Sequence, residues 1–388
     1  VPADRYRARL EAARAAAASV GLQALLLGAG PSLRYLTGYE ALGLERLTLL
    51  VLPAFTAGAT DRGLLVVPRL EAAPAALCPA AAGGAIELVT WEETEDPMRL
   101  VAGRLAEAVG TGAGEIRAVA VSDDLRAAFV LGLQRVLPTA RFSLGSAVLR
   151  DLRMRKDSDE IALLRAAARA ADRVVVAIAA GRLIGRREAD VAREVRDRLV
   201  DEGHELAAFA IVASGPNSAS PHHQPGDRVI DAGEPIVLDI GGSLGGYGSD
   251  VTRTLWTTGG DPDRGPDADY RHLYRVLQDA QAAATSAVRP GASGEQIDDV
   301  ARALISKAGF GPAFIHRTGH GIGLEGHEDP YLVAGNREPL DVGMAFSIEP
   351  GIYLEGRYGA RIEDIVVCGE DGPIVLNELP RDLMVVPG

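Results

Sequence analysis

A chain of 388 residues is longer than one ordinary hydrophobic core supports, so two domains are expected, and a hydrophobic fraction of 47% is enough to fill both. A formal net charge of −13 with no basic face excludes an ordinary nucleic-acid binder. Two distant cysteines, Cys78 and Cys368, form neither a disulfide framework nor a cysteine metal site, and no apolar run approaches a membrane span. A cytoplasmic protein without membrane contacts is the expectation.

In chain order, Asp4–Val20 has helical spacing and no breaker, with Leu10 and Val20 on the inward side. Ala24–Gly28 is a short apolar strand. PSLRYLTGY (Pro31–Tyr39) follows, then Leu47–Pro53, Leu64–Pro68, Ile86–Trp91 and Ala118–Ser122 as further strands. Helices fit between them at the end of Val66–Ala76, at Pro97–Val109 and at Leu125–Val136. Tyr35 and Tyr39 belong to a core or a domain interface. This first part is a small α/β unit without a catalytic box. The boundary falls near Leu149–Lys156, where the chain turns charged and then opens a helix; domains of 1–152 and 153–388 follow. Asp157 with Glu160 suits a capping box for a helix to about Ala180, and a second helix runs Glu188–Glu202. Phe209–Val212 is a strand. Tyr270–Val288, the turn RPGAS and Gln296–Ala308 repeat the helix pair, so an internal pseudo-twofold is expected.

The stretch Ile236–Thr254, IVLDIGGSLGGYGSDVTRT, holds two strand-like runs around a glycine-rich turn. Asp239 ends the first run and Asp250 opens the second. An antiparallel hairpin would turn the two carboxylates toward each other, and a divalent cation would relieve their repulsion. Three more donors follow: His320 in TGHGIG, Glu349 in FSIEPG and Glu363 in ARIED, the last two flanking a turn between Met344–Ile348 and Ala360–Val367. Four carboxylates and one imidazole carry too much negative charge for one divalent metal and suit two that share a hydroxide. Hard oxygen donors with one imidazole favour Mn²⁺ or Co²⁺ over a closed structural Zn²⁺ site, although Zn²⁺ and Fe²⁺ stay open. Thr252, in DVTRT, is placed to hydrogen-bond a ligand carboxylate.

This order of Asp, Asp, His in TGHGIG, Glu in EPG and Glu in RIED resembles the metal-ligand order of the pita-bread metallopeptidases. The branch it resembles holds Xaa-Pro aminopeptidase and Xaa-Pro dipeptidase (prolidase). The resemblance covers Arg153 to the end and, through RYLTGY, more loosely the N-terminal part. It implies a creatinase-like α/β domain before the catalytic domain, two metal ions with Mn²⁺ first, a proline-containing peptide substrate and a homodimer. His222, in SGPNSASPHH, falls at the position of the family's SG…H histidine, with its neighbour His223 second. His327, seven residues after His320, matches the family's second active-site histidine. Arg361, two before Glu363, alternates onto the same strand face and could orient a carboxylate. Tyr353 is a hydrogen-bond donor toward substrate or a core tyrosine.

The implied mechanism is hydrolysis of the bond before proline by a metal-bridging hydroxide. Glu349 is both ligand and proton carrier, while His222 and His327 bind the carbonyl oxygen and the tetrahedral intermediate. A methionine-aminopeptidase-like or general aminopeptidase shares the metal set; the N-terminal domain and the PHH and RIED contexts speak against it. A metal-free creatinase-like hydrolase and a non-catalytic peptide-binding module would have lost ligands that stand here. Peptide length preference stays open, with Arg46 one candidate to capture a dipeptide's terminal carboxylate.

Overall fold

The computed structural model describes residues 3–54 and 62–388. They form two compact units, Val1–Arg153 and Met154–Gly388.

The first unit opens with α1 (Ala3–Ser19), which buries Leu10, Ala13 and Ala17. Val20 lies beyond the last helical turn, just before the left-handed Gly21, and is 57% exposed rather than packed inward. β1 (Ala24–Gly28) leads into α2 (Pro31–Thr37), a helix where strands were expected. Pro31 needs no N–H at a helix start, and Gly38, at φ 72°, ends the helix by donating to the Arg34 carbonyl. β2 (Leu49–Pro53) and β3 (Gly63–Pro68) follow. The helix expected at the end of Val66–Ala76 is α3 (Ala72–Ala76), reached after one 3₁₀ turn because the strand continues through Pro68. Then come α4 (Pro79–Ala82), β4 (Ile86–Trp91) and α5 (Pro97–Val109). Asp96 caps α5 by accepting from the backbone N–H groups of Met98 and Arg99. β5 (Ala118–Val121), α6 (Ala127–Val136), β6 (Arg141–Leu144) and α7 (Ser146–Met154) complete the series. One mixed sheet, ordered β4-β3-β2-β1-β5-β6, carries a Leu- and Val-rich core. Tyr35 and Tyr39 are buried in this unit, and Tyr35 donates its hydroxyl proton to the Leu152 carbonyl.

The second unit opens on α8 (Ser158–Ala179), with Asp157 and Glu160 forming the expected capping box. α9 (Glu188–Asp201), β7 (Leu206–Ser214) and the hairpin β8 (Glu234–Leu244)–β9 (Tyr247–Thr257) follow. The plan then repeats. α10 (Ala268–Ala287) and α11 (Gly294–Lys307) precede the strands β10 (Gly319–Gly321) and β11 (Glu328–Leu332). A second hairpin follows, made of β12 (Ala345–Ile348), β13 (Gly351–Leu354), β14 (Tyr358–Arg361) and β15 (Asp364–Cys368). β16 (Pro373–Val375) and β17 (Met384–Val386) close the chain. The sheets are ordered β17-β9-β8-β7 and β11-β10-β12-β15-β16, each covered by its own helix pair.

β9 of the first half meets the second hairpin edge to edge. The Thr254 hydroxyl donates to the Arg361 carbonyl and accepts from the Arg361 N–H, while the Glu363 N–H donates to the Thr252 carbonyl. Arg253, with 0% exposure, pins this junction. Its guanidinium donates to the Glu363 and Thr252 carbonyls and to the Asp364 carboxylate. A buried cation is tolerated because all its donors reach acceptors.

Candidate metal centre and cleft

The hairpin β8–β9 closes on Gly245 and Gly246, at φ 59° and 84°, between the paired Leu244 and Tyr247. Positive φ at both loop positions is the two-residue turn that matches strand twist, which is why glycine occupies both. The ladder runs further than the sequence suggested, so Asp239 and Asp250 are mid-strand rather than at strand ends. Asp239 lies opposite Thr252, and Asp250 opposite Gly241. The two carboxylates are therefore diagonal neighbours on one face.

The second hairpin keeps one register on both sides of a break. Ala345 pairs with Val367 and Gly351 with Arg361, so Glu349 stands opposite Glu363. At the break, the Glu349 N–H turns to the Thr318 carbonyl (2.8 Å) and the Glu363 N–H to that of Thr252 (3.1 Å). Interrupting the ladder there lets both glutamate side chains face the two aspartates.

Asp239, Asp250, His320, Glu349 and Glu363 come together. Their ligand atoms fall into overlapping groups, each within 4.8 Å: Asp239, Asp250 and Glu363; His320, Glu349 and Glu363; Asp250, His320 and His327. His320 Nε2 lies 3.2 Å from Glu349 and 3.6 Å from Asp250. Thr252 donates to Glu363 at 2.7 Å. Burial, then the charge of Asp239, pushes the Asp250 carboxyl well above the usual carboxylate range. Burial and Asp250 do the same to Glu363. Burial also raises Asp239, against the pull of Arg361. Glu349 differs: burial acts upward, but the hydrogen bond and charge of His320 bring it down to about 2. The buried Asp239 Oδ1 has no hydrogen-bond partner. Facing acids with an orphaned carboxylate oxygen are what a divalent cation would complete, and the residues present fit one.

Arg361 lies behind this cluster, buried, and donates to Asp239, to the Thr252 hydroxyl (3.1 Å), to the Pro221 carbonyl (3.3 Å) and to the Tyr353 oxygen (2.8 Å). Burial holds the Tyr353 hydroxyl up to about 12, so it stays protonated. The His316 Nδ1–H donates to the Arg317 carbonyl (2.7 Å), and burial holds His316 below its usual pKa. A neutral ring with its proton on Nδ1 accepts at Nε2, so Tyr353 donates there at 2.9 Å. Tyr353, which the sequence leaves as a donor toward substrate or a core tyrosine, is buried and joins Arg361 to His316.

A cleft of about 730 Å³ opens over the cluster. His222, His327, Glu349 and Arg361 line it, together with Phe209, Ile211 and Ile315 as apolar wall. Burial, then the charges of His320 and Arg317, bring His327 down to about 4. Arg317 can only donate to the His327 Nδ1, 3.2 Å away, which leaves the neutral ring's proton on Nε2. His223 points elsewhere, to Glu188 at 2.7 Å, so the adjacent histidines have separate surroundings. Arg46 sits in the first unit, paired with Glu93 (2.7 Å) and Glu45 (2.6 Å).

Among the basic side chains of the lining, His316 and Arg317 were missed. His316 had a signal, because in an extended HRTGH run it shares a face with His320. Arg317 had none.

Residues 162–370 match the model of metallopeptidase family M24, and residues 9–155 match that of the Creatinase/Prolidase N-terminal domain. The chain belongs to metallopeptidase family M24, a peptidase with a pita-bread catalytic domain after a creatinase-like α/β domain. In particular, it is 46% identical over 386 residues to the probable dipeptidase PepE of Mycobacterium tuberculosis, covering 99% of this chain and 98% of that one. It is 36% identical to the Xaa-Pro dipeptidase of Lactobacillus helveticus over 300 residues, 76% of this chain and 78% of the relative. The crystal structure of dipeptidase PepE from Mycobacterium ulcerans superposes with a TM-score of 0.90 at 45% identity and 100% coverage of both chains. No helix among the described residues is long and apolar enough to cross a membrane.

Proposed function

We propose that the chain hydrolyses the bond before proline, in Xaa-Pro dipeptides or at the N-terminus of peptides, using two divalent cations held by Asp239, Asp250, His320, Glu349 and Glu363. The observation that carries this reading is the convergence of four carboxylates and an imidazole, with an orphaned oxygen on Asp239, at the floor of the cleft. The Xaa-Pro dipeptidase relative supports the choice of bond. When bound, the cations would make water acidic enough to ionise near neutral pH and would polarise the scissile carbonyl.

The protein's own groups do the rest. Glu349 Oε1 faces His320 and the Ser347 hydroxyl, so Oε2 is the oxygen that takes a proton from the attacking water and returns it to the leaving nitrogen. The neutral His327 presents its Nε2–H, and His222 a second ring N–H, to the carbonyl oxygen as charge develops there. Arg361, held by Tyr353 and Thr252, fixes Asp239 and is a positioning residue.

Manganese comes first among the candidate metals because oxygen donors with one imidazole suit it. Metal analysis of active protein is expected to give two ions per chain. A chelator is expected to abolish hydrolysis and added Mn²⁺ or Co²⁺ to restore it; full activity in stripped protein would overturn the reading. Ala-Pro substrates are expected to be cleaved well ahead of Ala-Ala, and equal rates would indicate a general dipeptidase or aminopeptidase. Rates on Xaa-Pro against Xaa-Pro-Yaa then settle the length preference. A cytoplasmic homodimer completes the proposal; a monomer by light scattering that keeps full activity would exclude the dimer.

A further inference from the structure

Glu188, the first residue of α9, has 0% exposure. A buried carboxylate is costly unless donors surround it. Here they all come from one segment. Glu188 accepts from the Ser214 N–H and hydroxyl (both 2.7 Å), from Asn217 Nδ2 (3.0 and 3.1 Å) and from His223 Nε2 (2.7 Å). Ser214 lies at the start, and Asn217 and His223 within the first half, of the loop 215–233 between β7 and β8, the loop that carries His222 to the cleft lining. The loop's other side is tied to the metal-site hairpin, where Ser218 Oγ accepts from the Gly359 N–H (2.8 Å) and the Pro221 carbonyl from Arg361 (3.3 Å).

The second half carries the same device. Asp298 of α11, also with 0% exposure, accepts from the Thr318 N–H (3.0 Å) and hydroxyl (2.8 Å), and Arg302 forks it at 2.8 and 2.9 Å. Arg302 also donates to the Phe314 and His316 carbonyls. Thr318 heads the strand of His320, as Ser214 heads the loop of His222. Apolar packing would serve stability at least as well as a buried acid. An acid in the second helix of each half, gripping the residue that heads a histidine-bearing segment, serves placement.

We propose that Glu188 and His223 are positioning residues that fix His222 over the reacting carbonyl, and that His223 takes part only as an N–H donor. The role rests on His222 acting as described under Proposed function. His223→Gln keeps an N–H for Glu188, while His223→Leu removes it. His223→Leu is expected to lower kcat on the order of 10- to 100-fold, with KM within about threefold, and His223→Gln to keep at least about a third of kcat. In a His222→Ala background the Leu substitution is expected to cost less than about threefold, because the ring it would misplace is gone. Equal losses in both backgrounds would show a general structural effect, and equal losses from Gln and Leu would show that the imidazole itself is needed; either overturns the proposal. Imidazole NMR of the metal-free protein supplies a readout independent of turnover. The His222 ring signals are expected to move in His223→Leu and Glu188→Gln and to stay in His223→Gln. If His222→Ala keeps wild-type kcat, the catalytic reading of His222 fails, and the ring signals alone still decide the positioning; unmoved signals in His223→Leu overturn it.

Discussion

Replacing Glu349 by glutamine is expected to lower turnover on the order of 10³-fold or more, even with metal in excess. The substitution is nearly isosteric and keeps one carbonyl oxygen that can ligate. It loses two properties together. The amide cannot accept a proton from water at the position of Oε2, and it cannot answer the charge of His320, which together with the hydrogen bond brings the Glu349 carboxyl down to about 2. A pure ligand role would show as weaker metal binding that excess Mn²⁺ repairs; a proton-carrying role would not be repaired. Metal content and single-turnover rates at saturating metal separate the two. A variant that recovers wild-type turnover when metal is raised would remove Glu349 from the proton path.

The second large effect is expected at His222, which lines the cleft without being among the five proposed ligands. His222→Ala is expected to keep its metal and to lose kcat on the order of 10²–10³-fold, with KM little changed, as when one donor to a developing oxyanion is removed. A surface loop residue would give a near-neutral change. Wild-type kcat in this variant would leave His327 as the remaining histidine donor to the carbonyl oxygen. It would not promote His223, whose Nε2 is engaged with a buried carboxylate.

The cluster of candidate ligands was legible because each stands in a short box fixed by its neighbours, and because hairpins bring distant carboxylates together whatever the loop lengths. Register was less legible. Asp239 and Asp250 were expected at strand ends, yet the ladder runs to Leu244 and Tyr247, since two adjacent glycines allow a turn tighter than their surroundings advertise. Tyr353 illustrates the limit for side chains. Nothing in its spacing from Glu349 tells whether its hydroxyl meets substrate or joins Arg361 to His316. In the first unit, Arg141–Leu144 escaped notice because it is only four residues long and neither end is buried. Pro31–Thr37 reads as extended chain in the sequence, although its proline and following glycine are ordinary helix boundaries. Glu188 and Asp298 were invisible as anchors, because a charge on an amphipathic helix gives no sign of facing inward until its partners from later strands are in place.

The division of the donors between the two halves has a consequence for a newly made chain. The first half supplies two aspartates, while the second supplies the histidine and both glutamates, and they meet only through contacts such as Thr252 with Glu363, 111 positions apart. Neither half alone holds the set. A chain whose two halves have not met therefore cannot assemble the peptidase site, and hydrolytic capacity arrives with their docking. The same contacts that switch the enzyme on report that its two halves have docked.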